Sequence, residues 1–230
     1  MAKSMSGRQA NPPARPVGDG YMAREGHRSL AGRHEHEFDS LPGRIAGWAM
    51  SFGRSRSTRL LVDLAGVGPG DRVVDVGCGP GLFLKAAEER GATAVGVDPS
   101  VRMRRLALRR IPAGLRPAVT VVDGAAERLP LADGSATVAW AVASFHHWSD
   151  PDAGLDEVRR VLAPGGRLLI AERLADQRGW FRGHALTWEA AEGLAAKVRR
   201  AGFAEVAVAR HQAGRRQLVV VAGRHPADAA

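Results

Sequence analysis

From residue 72 onward the chain alternates short apolar runs with stripes at helical spacing. Arg72–Val76 is a β-branched run that predicts a first strand. A helical pattern covers 82–90, and Gly91 closes it as a C′ residue. Thr93–Val97 reads as a second strand ending at Asp98, and Pro99-Ser100 opens the next helix. Ala118–Val122 is a third strand. Thr137–Ala143 is nearly continuous in apolar residues, as suits a central strand covered on both faces. Asp150 is placed to cap a helix from Pro151, with an apolar stripe at Leu155, Val158, Val161 and Leu162. Ala163-Pro164-Gly165-Gly166 then turns the chain into a fifth strand, 167–172. Thr187 caps a helix that runs to Arg200 and is closed by Gly202. Two last strands, 204–209 and 217–222, join near Gly214. Alternating strands and helices predict an α/β fold with a parallel sheet, and the final pair predicts an antiparallel hairpin.

The flanks read differently. Residues 1–33 are rich in Gly, Pro, Arg and Ser and predict a flexible arm. Residues 34–66 predict a helical cap, with apolar positions at Ile45, Trp48, Met50, Phe52, Leu60, Leu61 and Leu64. Trp48 and Phe52, one turn apart, are expected to pack. Residues 67–223 form the main domain, and 224–230 a disordered tail. No internal repeat is evident.

Composition adds limits. The 230 residues are 45% hydrophobic and 25% charged, enough for one domain with a real core. No apolar run approaches the ~18–20 residues of a membrane span. No apolar leader stands at the start, so a cytoplasmic protein is expected. The single cysteine, Cys78, allows no internal disulfide and no cysteine-based metal cluster. His34 and His36 lie two apart, which is not the same-face spacing of a helical zinc pair, so no metal site is expected. The net charge of +9 raises a nucleic-acid partner. Lysine occurs only at 3, 85 and 197, however, and the arginines are scattered or sit at solvent-facing helical positions. Compositional bias explains that pattern without a nucleic acid.

The chemistry centres on Val73-Val74-Asp75-Val76-Gly77-Cys78-Gly79-Pro80-Gly81. Glycines at a strand-to-helix turn let the backbone approach a ligand, and the helix start offers free N–H groups. A dinucleotide fingerprint needs its third glycine at position six, where this chain has Leu82. Asp75 beside the turn suits a cationic, amine-bearing ligand better than a pyrophosphate. Asp98, at the end of the second strand, is placed for ribose hydroxyls.

These residues resemble motif I of the class I S-adenosylmethionine (SAM)-dependent methyltransferases, most closely the type 11 group. The resemblance extends over about 71–222. It implies a Rossmann-like three-layer sandwich with a seven-stranded, mostly parallel sheet in the order 3-2-1-4-5-7-6. It also implies SAM as cofactor, held by Asp75, Gly77, Cys78, Gly79, Gly81, Asp98, Pro99, Met103, Gly124, Ala125, Ala126 and Ala141. The run Asp123 to Pro130 is similar to the family's Gly-Asp-Ala-Glu-x-Leu-Pro element, but Ala125 stands at its Asp position. Thr137 stands where the family often has Asp. The run Glu157-x-x-Arg160-Val161-Leu162-x-Pro164-Gly165-Gly166 resembles a family signature with a structural role.

Methyl transfer from a sulfonium needs alignment more than a triad or a metal. A general base helps a hydroxyl or amine acceptor, and His146 or His147, after the fourth strand, is the candidate. No Asn/Asp-Pro-Pro-aromatic element follows that strand, which disfavours exocyclic amines of nucleic-acid bases. Transfer to O, N, C or S of a small molecule is the expected activity. The alternatives are an RNA or protein methyltransferase, or a regulatory protein that binds SAM without catalysis. A nicotinamide oxidoreductase is disfavoured by Leu82 and the terminal hairpin. The connector 173–186, with Trp180, Phe181 and His184, is expected to carry substrate contacts.

Overall fold

The computed structural model describes residues 55–115, 118–175, 185–214 and 216–227. The arm 1–33, most of the cap including Trp48 and Phe52, the His34–His36 pair, and Trp180, Phe181 and His184 of the connector lie outside them. The elements are α1 (Ser55–Leu64), β1 (Arg72–Val76), α2 (Leu82–Glu88), β2 (Thr93–Val97), α3 (Val101–Arg110) and β3 (Val119–Val122). Then come β4 (Ala136–Val142), α4 (Pro151–Val161), β5 (Leu162–Arg173), α5 (Trp188–Arg200), β6 (Ala204–Ala213) and β7 (Arg216–Arg224). One seven-stranded sheet runs β3-β2-β1-β4-β5-β7-β6. The first five strands are parallel, and β7 is antiparallel to both β5 and β6. The expected order and terminal hairpin are both present.

Alternate side chains of each strand feed two apolar clusters. Val73, Val138, Trp140, Val142 and Leu169 pack with α1 and α2 through Leu61, Val62, Phe83 and Leu84. Val74, Val76, Ala139, Ala141, Leu168 and Ile170 pack with α4 and α5 through Leu155, Val158, Leu194 and Val198. No helix among the described residues is long and apolar enough to cross a membrane.

The helix starts follow the sequence signals. The Ser100 hydroxyl accepts from Met103 N at 3.3 Å. The Asp150 carboxylate accepts from the N–H groups of Asp152 and Ala153, with Pro151 at N1. The Thr187 hydroxyl accepts from Ala190 N at 3.0 Å.

Three boundaries differ. α2 stops at Glu88, two residues before the expected end, and Gly91 closes the turn at φ 78°. The hairpin strands are longer than expected, because Ala213↔Arg216 pairing continues to the turn at Gly214. Pro164-Gly165-Gly166 is not a turn ahead of β5. Ala136 pairs with Leu162 and Val138 with Arg167, so the segment between is a bulge within the strand.

Glu157 and Arg160 do more than end a helix. Arg160 donates to the carbonyls of Leu129 (3.0 Å) and Leu131 (2.9 Å), to Asp133 (2.6 Å) and to Glu157 (2.7 and 2.8 Å). Glu157 in turn accepts from Leu129 N at 2.8 Å. The pair pins the β3–β4 loop to α4. Arg160→Ala should destabilise the domain by ~1–3 kcal/mol, read as a shift in urea midpoint, since it strands two loop carbonyls. Arg160→Lys should recover only part, because a lysine lacks the planar fork.

Candidate functional site

β1 ends beneath the glycine turn, at the carboxyl edge of the sheet. Gly77, Gly79 and Gly81 have φ of 72°, 51° and 73°, a region that side chains disfavour. The turn is tied to β2, because the N–H groups of Gly77 and Cys78 both donate to the Val97 carbonyl, at 2.8 and 3.1 Å. Gly79 N donates to Asp98 Oδ2 at 2.8 Å, and Ser100 N donates to Asp98 Oδ1 at 2.9 Å. Asp98 is thereby fixed between the turn and the start of α3. Burial pushes its carboxyl pKa up, against the pull of those two N–H groups and Arg104. Each oxygen retains accepting capacity beyond its one backbone bond.

Asp75 is 2% exposed, and its Oδ2 has no hydrogen-bond partner among the described residues. Burial raises its pKa to about 7; the nearby Trp140 indole lowers it in part, and the Asp98 charge raises it again. Trp140 Nε1 is itself buried without a hydrogen bond of ordinary geometry, so its influence on Asp75 is that of a nearby dipole. A buried carboxylate oxygen left unpaired is costly in a chain alone. A cationic ligand would satisfy it.

The other expected ligand residues are placed as follows. The Cys78 side chain lies in the first apolar cluster, and burial raises its thiol pKa, so it is an unreactive packing group. The Pro99 carbonyl accepts from Arg104 Nη1 at 2.9 Å, and Met103 is buried on the first turn of α3. A Cβ at Gly124 would lie 2.7 Å from Pro130 Cδ. Ala125 bridges to Arg128, and Ala126 is buried in the second apolar cluster. Ala141 is 1% exposed in that same cluster. Asp123 is paired with Arg104 Nη1 at 2.7 Å, so it is committed elsewhere than the Ala125 position. Thr137 lies at the opposite, amino edge of the sheet, where its hydroxyl donates to Asp71 Oδ1 at 2.7 Å and accepts from Arg72 N at 3.0 Å. Its difference from the family pattern is therefore remote from the turn.

β4 leaves the sheet under strain. Ala143 has φ 50°, a non-glycine residue in the left-handed region. The Ser144 hydroxyl donates to the Val76 carbonyl at 2.6 Å, which ties this corner to β1. A short 3₁₀ turn, Phe145–His147, follows. His146 is partly buried, with Nδ1 at 3.1 and 3.0 Å from the two carboxylate oxygens of Glu172. His147 is exposed, its ring centroid 4.0 Å from that of His146.

Sequence reasoning missed four contributors: Glu172, Ser144, Arg104 and Glu127, whose carboxylate accepts from Ser149 N and Asp150 N at 2.6 and 3.0 Å. Glu172 alone left a signal, as a charge that ends the apolar run of β5.

An open α/β sheet with its glycine turn at the carboxyl edge and a hairpin at one end is a Rossmann-like cofactor-binding domain. A family model for a methyltransferase domain matches residues 74–170. Demethylmenaquinone methyltransferase of Renibacterium salmoninarum is 34% identical over 134 residues, which are 58% of this chain and 54% of that protein. Methyltransferase GfsG of Streptomyces halstedii is 39% identical over 121 residues, 51% of this chain and 43% of that protein. The chain thus spans about half the length of these curated relatives. The methyltransferase solved in complex with the Haloferax volcanii Trm112 activator shares the fold at a TM-score of 0.68 and 22% identity, over 83% of this chain and 98% of that one. Residues 74–170 thus match a methyltransferase domain, and the chain is similar to SAM-dependent methyltransferases over that stretch.

Proposed function

We propose that the chain transfers the methyl group of SAM to a small-molecule acceptor, with residues 67–223 as the catalytic domain, in a reducing, cytoplasmic setting. One observation carries the reading: the unpaired, buried oxygen of Asp75 beneath three positive-φ glycines and beside the clamped Asp98. That donor set fits an amine-bearing, ribose-bearing cation. Asp75 and the glycine turn would hold the amino acid end, Asp98 the ribose, and the loop 123–130 with Met103 the base. Bound there, SAM supplies a methyl group on an already activated leaving group.

The chain's own residues then align and deprotonate. The 3₁₀ turn puts His146 at the carboxyl edge that also holds the glycine turn, and His146 is the base for an acceptor that carries a proton on its attacking atom. The named relatives, one acting on demethylmenaquinone, support a small-molecule acceptor.

The test is calorimetric titration with S-adenosylhomocysteine (SAH), with NADH as parallel titrant. Micromolar binding of SAH and none of NADH supports the reading; silence from SAH removes it. Asp98→Ala should weaken SAH binding at least tenfold, because it deletes the ribose acceptor and frees both Gly79 N and Ser100 N. An unchanged affinity removes the ribose assignment.

SAM affinity should also depend on pH through Asp75. With its pKa at about 7, Asp75 holds a proton in the free chain below neutrality. A bound cation favours the carboxylate, so binding releases that proton and affinity rises with pH. The rise should approach tenfold per unit from pH 5.5 to 7 and flatten above 8. In the ligand-free chain the same group lowers stability from about pH 4 to 7, because the native state keeps its proton longer than the unfolded one. Asp75→Asn should remove both slopes, measured by titration and thermal melts across that range.

A further inference from the structure

β5 runs Leu168-Leu169-Ile170-Ala171 with every side chain buried, and then places a carboxylate, Glu172, at 1% exposure. Its backbone pairs with Val219, so the residue is inside the sheet and not at a frayed end. An aliphatic residue there would serve stability at least as well, since a buried charge loses its hydration. Among the described residues, every hydrogen bond of this carboxylate goes to one residue: His146 Nδ1 at 3.1 and 3.0 Å, and His146 N at 3.4 Å. The side chains are 10% and 1% exposed, so the pair is shielded from screening by water. The surrounding backbone fixes the pairing. Ala143 N donates to the Ala171 carbonyl at 2.7 Å, one residue before Glu172, and the strained Ala143 then swings the turn across the strand end. His147 N donates to the Ser144 carbonyl at 2.9 Å, which closes that turn.

From this geometry we infer that Glu172 is a positioning residue that holds His146 as the Nδ1–H tautomer, with Nε2 as the proton acceptor for methyl transfer. The inference rests on the reading of His146 as the base. In the step, the proton on the attacking atom of the acceptor passes to His146 Nε2. The electron pair left on that atom forms the new bond to the methyl carbon. The carbon–sulfur bond breaks with its electrons going to sulfur, so SAH leaves uncharged. Glu172 keeps the hydrogen bond to Nδ1–H throughout, and the proton taken up at Nε2 is then lost to water. The His147 ring lies 4.0 Å away, centroid to centroid.

The test is nitrogen-15 NMR of the histidine rings in the full chain, with and without SAH, across pH 5 to 9. His146 is assigned by its absence from His146→Asn. The expected result is a neutral ring protonated at Nδ1 in the wild type. Glu172→Gln should shift the neutral ring toward a mixture of the two tautomers, and Glu172→Asp should restore part of the Nδ1–H form. SAH affinity should stay within about threefold of wild type in both variants. A wild-type ring protonated at Nε2, or a Glu172→Gln variant with the wild-type tautomer population, overturns the inference. Should Glu172→Gln fail to fold, the wild-type tautomer and Glu172→Asp still decide. The base reading fails separately: an intact Nδ1–H tautomer with unimpaired turnover in His146→Ala keeps the pairing and removes the base.

Discussion

His146→Ala is expected to lower methyl transfer by about 10²–10⁴-fold while leaving SAH affinity within about threefold. The split follows from where the side chain sits. His146 is placed by Glu172 and by the 3₁₀ turn after β4, whereas the glycine turn and Asp98 are held by β1, β2 and α3. On the proposed role, removing the imidazole takes away proton acceptance without disturbing that cradle. His147→Ala should have a much smaller effect, since His147 is exposed. The measurement is SAH release over a panel of phenols, alcohols, amines and thiols, followed by calorimetry with each variant. Acceptors that already carry a free lone pair without a proton to lose should be insensitive to His146. If both histidine variants turn over like wild type on a hydroxyl acceptor, no base operates at this turn.

Gly77→Ala should destabilise the domain by ~2–4 kcal/mol and weaken SAH binding beyond detection in the micromolar range. Two penalties add. The backbone at Gly77 has φ 72°, which costs an alanine about 1 kcal/mol. A Cβ there would also lie 2.5 Å from Ser144 Cβ and 2.9 Å from Ser144 Oγ. Ser144 has little room to retreat, because it is 5% exposed and its hydroxyl is bound to the Val76 carbonyl at 2.6 Å. Displacing Ser144 would also shift the turn that carries His146. Gly70→Ala separates the two penalties: its φ is 86°, with nothing within 4 Å of the added carbon. Denaturant unfolding of the two variants should differ by the steric part alone, and Ser144→Gly should relieve much of the Gly77→Ala defect.

The contrast between those glycines shows what a linear pattern can carry. The turn at 77–81 was plain from three alternate glycines after a β-branched run. That a Cβ at 77 meets Ser144 depends on β1 and β4 lying side by side, through sheet pairs such as Val73↔Val138 and the Ser144–Val76 hydrogen bond, whose partners are 68 residues apart in the chain.

The histidines make the same point. The dipeptide after the fourth strand was an evident candidate, but nothing local distinguished His146 from His147. The choice follows from β5 lying next to β4, which brings Glu172 beneath one ring and leaves the other exposed. Thr137 and Asp123 were ambiguous for a similar reason. Their roles follow from Asp71 and Arg104, partners supplied by other elements.

Local chemistry was therefore legible in the sequence: the strands β1 and β2 to the residue, the caps at Asp150 and Thr187, the glycine turn, and the α/β class with its terminal hairpin. Each depends on backbone preferences or on periodicity within one segment. The tertiary structure alone decided which carboxylates are buried and unpaired, which histidine is held, and that Glu157 and Arg160 pin a distant loop. Those properties come from desolvation and from partners far apart in the chain, which appear only when the strands are laid side by side.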